Sequence, residues 1–247
     1  MARLTAAGVV LTAFGIAAPG AKVTKEAVTI DRDSRPYYLF VPGSVGSGPA
    51  PLLLVFHGSG RDGRSLVEPW RELAARERFI VAGPDAIDRR AWQSPADGPA
   101  FLYFLVETIK AKHAIDGRRM YLFGHSAGAW FGLIMSLMES EYFAATAVHA
   151  GGLQTEGRDQ FFRAPRKIPM LIFSGTADQV VPIETAREAR DVLAAHDFPV
   201  QLVTMAGHDH SYGPRADAIN RQAWAFLQQH ALEEEPHFQV YNYARPR

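Results

Sequence analysis

The sequence predicts an α/β fold: a mostly parallel central sheet with helices on both faces and an antiparallel hairpin at the N-terminal side. Two observations carry this reading. Short apolar runs with no polar alternation recur along the chain, and stripes of helical period separate them. A strand covered by helices on both faces needs no polar side, so it reads as a continuous apolar run. Strands that alternate with helices join in parallel, because the helix carries the chain back to the start of the next strand. The length bounds the rest: 247 residues, 47% hydrophobic and 21% charged, suffice for one full-sized domain with a substantial core.

Residues 1–21 carry Arg3, an apolar alanine-rich run and then small residues, the pattern of a signal peptide. That reading makes the chain exported, periplasmic or secreted. The alternative is an ordinary apolar N-terminal segment of a cytoplasmic protein. Residues 23–30 and 37–41 are rich in β-formers around the polar turn Asp31-Arg32-Asp33-Ser34 and read as the hairpin. The glycine- and proline-rich stretch 43–51 leads into the apolar run 52–56. Further strands are expected at 79–82, 120–123, 144–149, 170–173 and 200–205. Leu102, Leu105, Val106 and Ile109 form one helical stripe, and Ile219, Ala223, Phe226 and Leu227 another. Residues 22–232 thus read as one domain, and 233–247 as a C-terminal extension whose apolar stretch 238–243 is expected to dock.

Charge and composition exclude several partners. Lysine plus arginine equals aspartate plus glutamate at 26 each, so no basic field attracts nucleic acid or an anionic membrane. After the leader no apolar run approaches the roughly 20 residues that span a bilayer. The chain has no cysteine, which rules out disulfides, thiolate metal sites and a cysteine nucleophile.

The motif that carries chemistry is Gly124-His125-Ser126-Ala127-Gly128, between the strand Arg119-Met120-Tyr121-Leu122-Phe123 and an apolar helix over 129–137. A G-x-S-x-G sequence in a strand, sharp turn and helix context is a nucleophile elbow, with Ser126 lifted clear of the sheet at a helix N-terminus. His125 fills the variable position, where a packing or hydrogen-bonding role is expected.

A serine hydroxyl needs an imidazole to take its proton, and the imidazole needs a carboxylate to fix its tautomer. The strand-end segment Ile172-Phe173-Ser174-Gly175-Thr176-Ala177-Asp178 puts Asp178 at a carboxyl edge, where functional groups gather in such sheets. After the next strand comes Gly207-His208-Asp209-His210-Ser211-Tyr212. Asp209-His210-Ser211-Tyr212 resembles the histidine segment of the esterase D group, and His210 has the longer loop with which to reach Ser126. His208, directly after a glycine, is the alternative base. A metal reading of the His-Asp-His cluster finds no further ligand set at recognisable spacing. His57-Gly58-Ser59-Gly60 ends the strand 52–56, so the N–H groups of Ser59 and Ala127 are the candidate oxyanion donors. Trp92 and Trp130 are candidate pocket walls, with core packing the competing role for each.

These features together resemble the polyhydroxybutyrate depolymerase, feruloyl esterase and acetylxylan esterase group of α/β-hydrolases, from about residue 28 to 227. The resemblance rests on Arg35-Pro36-Tyr37-Tyr38-Leu39-Phe40-Val41-Pro42, His57-Gly58, Ile115-Asp116-Gly117-Arg118-Arg119-Met120-Tyr121 and Phe143-Ala144-Ala145. It implies an α/β-hydrolase fold and hydrolysis of a small or oligomeric carboxylic ester, without metal or organic cofactor. The missing cysteines and the lack of a separate polymer-binding domain count against a dedicated degrader of solid polymer. Two other readings share the fold: a prolyl oligopeptidase-type peptidase, against which the missing propeller counts, and a binding protein without catalysis, against which the Ser-Asp-His set counts.

Overall fold

The apolar runs read from the sequence become the strands of one sheet. The computed structural model describes residues 22–30, 33–153 and 159–239. Its strands are β1 (Thr24–Ile30), β2 (Asp33–Phe40), β3 (Ala50–Phe56), β4 (Ile80–Pro84), β5 (Ile115–His125), β6 (Ala145–His149), β7 (Met170–Gly175) and β8 (Val200–Met205). They lie in the order β1-β2-β4-β3-β5-β6-β7-β8, with β1 and β2 antiparallel and β3 to β8 parallel. The expected leader, 1–21, lies outside the described residues. Ile30 pairs with Asp33, so the turn expected over 31–34 is shorter, and Asp33 and Ser34 belong to β2.

Burial explains the pattern of the runs. All seven residues of β3 are buried, whereas the edge strands β1 and β8 alternate towards solvent. Leu52, Leu54 and Phe56 face one apolar layer and Leu53 and Val55 the other, as the two-residue period of a strand requires. Helices α3 (Pro99–Lys110), α4 (Ala127–Met138) and α5 (Ile183–Ala195) pack on the first face. On the second lie α1 (Gly63–Val67), α2 (Arg71–Glu77) and α6 (Ala216–Leu227). Every member of the two helical stripes is buried, the ring of Phe226 least so at 9%. This is the α/β-hydrolase arrangement.

At the C-terminal side Leu232 is buried and its N–H bonds the carbonyl of Arg118. Phe238 stacks on Tyr103 with centroids 4.5 Å apart. The docking expected for 238–243 is seen at Phe238, and residues 240–247 lie outside the described part. Among the described residues no helix is long and apolar enough to cross a membrane.

Candidate active site

Ser126 sits between β5 and α4 with φ 54° and ψ −121°, in the left-handed region that a non-glycine residue enters only under strain. The flanking glycines make the turn possible. A Cβ on Gly124 would lie 2.1 Å from the carbonyl oxygen of Gly128, and one on Gly128 would lie 2.0 Å from that of Phe56. The Ser126 N–H donates to the carbonyl of His149 at 3.0 Å, which ties the turn to the end of β6.

The three groups singled out from the sequence meet here. His210 Nε2 is 2.9 Å from Ser126 Oγ, and His210 Nδ1 is 2.8 Å from Asp178 Oδ2. The other carboxylate oxygen, Oδ1, accepts the N–H groups of Val180 and Val181 at 2.9 and 2.8 Å. The Asp178 side chain is fully buried, while that of His210 keeps 23% of its surface exposed. A carboxylate held on both oxygens fixes the imidazole with hydrogen on Nδ1 and leaves Nε2 free to accept.

His208 goes elsewhere. Its Nε2 is 3.0 Å from His149 Nε2, and His149 Nδ1 is 3.0 Å from His125 Nδ1. The three imidazoles form a hydrogen-bonded row behind Ser126, with the Tyr212 ring stacked on His125 and the His210 ring 5.2 Å from it. A neutral imidazole donates from one nitrogen and accepts at the other. If His149 accepts from His125 it therefore donates to His208, or the whole row runs in reverse. One added proton would still find an acceptor at every contact of the row, so it is the cost of burying the charge that keeps the three rings neutral. Burial, with repulsion from neighbouring imidazoles, lowers His125 to about 4 and His149 to about 2, and burial lowers His208 as well. The row links the ends of β5, β6 and β8, and the His208 carbonyl also accepts the N–H of Ala177, next to Asp178. Among the described residues no group of three His, Asp or Glu is placed to hold a metal ion.

The loop after β3 is held by its own histidine. His57 Nδ1–H donates to the Gly58 carbonyl at 2.9 Å, and Nε2 accepts the Ala86 N–H at 3.1 Å. The loop after β4 clamps it further: Trp92 Nε1–H donates to the His57 carbonyl, Ser59 Oγ–H to that of Arg90, and the Gly60 N–H to that of Arg89. That second loop is itself organised by buried Asp97, which accepts from the N–H groups of Ile87 and Gln93 and pairs with Arg35. Ser59 lines a cavity of about 660 Å³ together with Ser126 and His210. Ala127, at the first position of α4, where a backbone N–H has no intrahelical acceptor, lines another of about 440 Å³ with both Trp92 and Trp130.

Comparison with known proteins agrees with this architecture. Residues 36–204, more than half of the chain, match the esterase PHB depolymerase family. The chain belongs to that family of ester hydrolases. Poly(3-hydroxyalkanoate) depolymerase C of Paucimonas lemoignei is 30% identical over 116 residues, which are 42% of this chain and 28% of that protein. A ferulic acid esterase structure superposes with a TM-score of 0.70 at 14% identity, over 85% of this chain and 98% of its own. A thermostable esterase gives 0.65 at 23%, over 85% and 63%. The butyrate-bound Est2 esterase of Thermogutta terrifontis gives 0.65 at 20%, over 85% and 94%. At these identities the structures speak for the fold alone.

Within this family member, sequence reading found the residues around Ser126 but not the groups that hold them. His149 escaped notice although it ends a buried strand at the carboxyl edge, the one signal that marks it. Asp97 gave no local signal, and Arg35, read only within its strand motif, gave none of its pairing with Asp97, since the two meet across 62 residues.

Proposed function

We propose that the protein hydrolyses carboxylic esters by acyl transfer through Ser126. Oγ bonds to the ester carbonyl carbon while His210 Nε2 takes its proton, and Asp178 holds the imidazolium. The N–H groups of Ser59 and Ala127 receive the oxyanion, donors of a kind typically worth about 3 kcal/mol each. The tetrahedral intermediate collapses as Nε2 returns the proton to the departing alcohol oxygen, leaving the acyl group on Ser126. Water then attacks that acyl carbon and gives its proton to Nε2. Nε2 passes that proton to Oγ as the Oγ–acyl bond breaks, which releases the acid and restores the serine hydroxyl and the neutral imidazole.

The observation that carries the reading is the continuous line from Ser126 Oγ through His210 to Asp178, at 2.9 and 2.8 Å. Ser126→Ala is expected to abolish hydrolysis of aryl esters and labelling by a fluorophosphonate while keeping the wild-type melting temperature. A folded variant with wild-type turnover overturns the assignment. A screen of aryl esters, methyl ferulate, acetylated xylan and short peptide amides separates an esterase from a peptidase. Export is proposed on the leader 1–21, and the mature N-terminus of the secreted protein tests it.

A further inference from the structure

Two cavities follow one another along α4, and the chemistry at Ser126 decides what each would hold. Once Oγ has attacked, the carbonyl carbon carries the oxyanion, the leaving oxygen and the acyl group. The oxyanion lies towards Ser59 and Ala127. The leaving oxygen must take its proton from His210 Nε2, so the alcohol lies on the His210 side, in the cavity lined by Ser59, Arg61 and Ser211. The acyl group takes the remaining direction, past Ala127 and into the 440 Å³ cavity walled by Trp92, Trp130 and Phe131.

That cavity does not end the path. A second one, of about 530 Å³, shares Ser94 and Ile134 with it and continues along α4 past Leu137 and Met138 to Phe161 and Ala164. Eleven helical steps separate Ala127 from Met138, about 16 Å at the rise of an α-helix. An extended chain covers that distance with roughly thirteen bonds, about fourteen carbons, at about 1.2 Å per bond. A compact planar acyl group fills only the first cavity.

From this placement, which rests on the acyl-transfer reading above, we infer that the α4 trough is an acyl-chain site and that the substrates are esters of extended aliphatic acids of up to about fourteen carbons. Ile134, half-buried at the junction, sets how much of the chain is accommodated. Each methylene laid on apolar surface is expected to raise kcat/KM about two- to fourfold until the trough is full.

The test measures kcat/KM for p-nitrophenyl esters from acetate to palmitate, and separately the binding of free decanoic acid to Ser126→Ala by calorimetry. Wild type is expected to climb to about myristate and then level off. Ile134→Trp, which fills the junction, is expected to cut the decanoate-to-acetate ratio at least tenfold and to abolish decanoate binding. Ala164→Phe, which narrows only the far cavity, is expected to lower the laurate-to-hexanoate ratio, and it serves if Ile134→Trp fails to fold. A flat chain-length profile, wild-type ratios in both folded variants, or a hydroxyacyl oligomer preferred over decanoate overturns the inference. Decanoic acid binding without turnover of any ester supports the trough and overturns the acyl-transfer reading instead.

Discussion

At the scale of the residue, two histidines two positions apart have opposite surroundings. His210 bridges Ser126 and Asp178, and buried His208 is bonded to His149. Spacing favoured His210 through its longer loop and left His208 open as the alternative; the structure separates them by which neighbour each ring meets. His210→Ala is expected to lower kcat on the order of 10⁴-fold or more, the scale on which members of such a set act. His208→Ala leaves the proton path intact and loosens the loop, so about a tenfold loss is expected on the same logic. Steady-state kinetics with an aryl ester checks the ranking, and the reverse order transfers the role of base to His208.

At the scale of the element, the site depends on loops that hold one another. β3 and the G-x-S-x-G turn were legible because each is a local pattern, a continuous apolar run and a glycine-flanked serine. The clamp between the loops after β3 and β4 was not, since its bonds run from Trp92, Arg89 and Arg90 to backbone atoms of 57–60 and leave no periodicity in the sequence. Asp97 is the hub of that clamp, fully buried, with Arg35 as its ionic partner and the Phe101 ring 3.9 Å below the guanidinium. Removing one member of a buried pair strands the other charge, at a cost of about 3–5 kcal/mol. Asp97→Ala is therefore expected to lower stability by that order in urea unfolding. Its kcat is expected to fall more than its affinity for a competitive inhibitor, since the Ser59 N–H loses its fixed position. Wild-type stability would show that Arg35 finds another partner.

At the scale of the whole molecule, two buried ionisable groups outside the proton path tie folding to pH with opposite signs. His149 is fully buried, faces His125, His208, His210 and the Tyr212 ring, and stays neutral in the fold down to about pH 2. The unfolded chain protonates it below about 6.5, so its contribution to stability is complete above that pH and is lost as pH falls, by about 1.4 kcal/mol per unit. Glu139 does the reverse. It is 1% exposed, one carboxyl oxygen accepts the Gln239 N–H, and the other has no hydrogen-bond partner among the described residues; burial raises it to about 8. Between the unfolded carboxylate range near 4.5 and that value, the fold holds a proton that the unfolded chain releases, and stability falls as pH rises. The opposing slopes mask each other in the wild-type curve and separate in variants. The stability gap between wild type and His149→Gln is expected to narrow on acidification from pH 6.5 to 5, by about 2 kcal/mol. Glu139→Gln is expected to gain on wild type as pH rises from about 5 to 8, by up to about 1.4 kcal/mol per unit. Urea unfolding of the three proteins across that range reads both slopes. Parallel curves for wild type and His149→Gln would mean that the imidazole row already carries a proton in the folded protein.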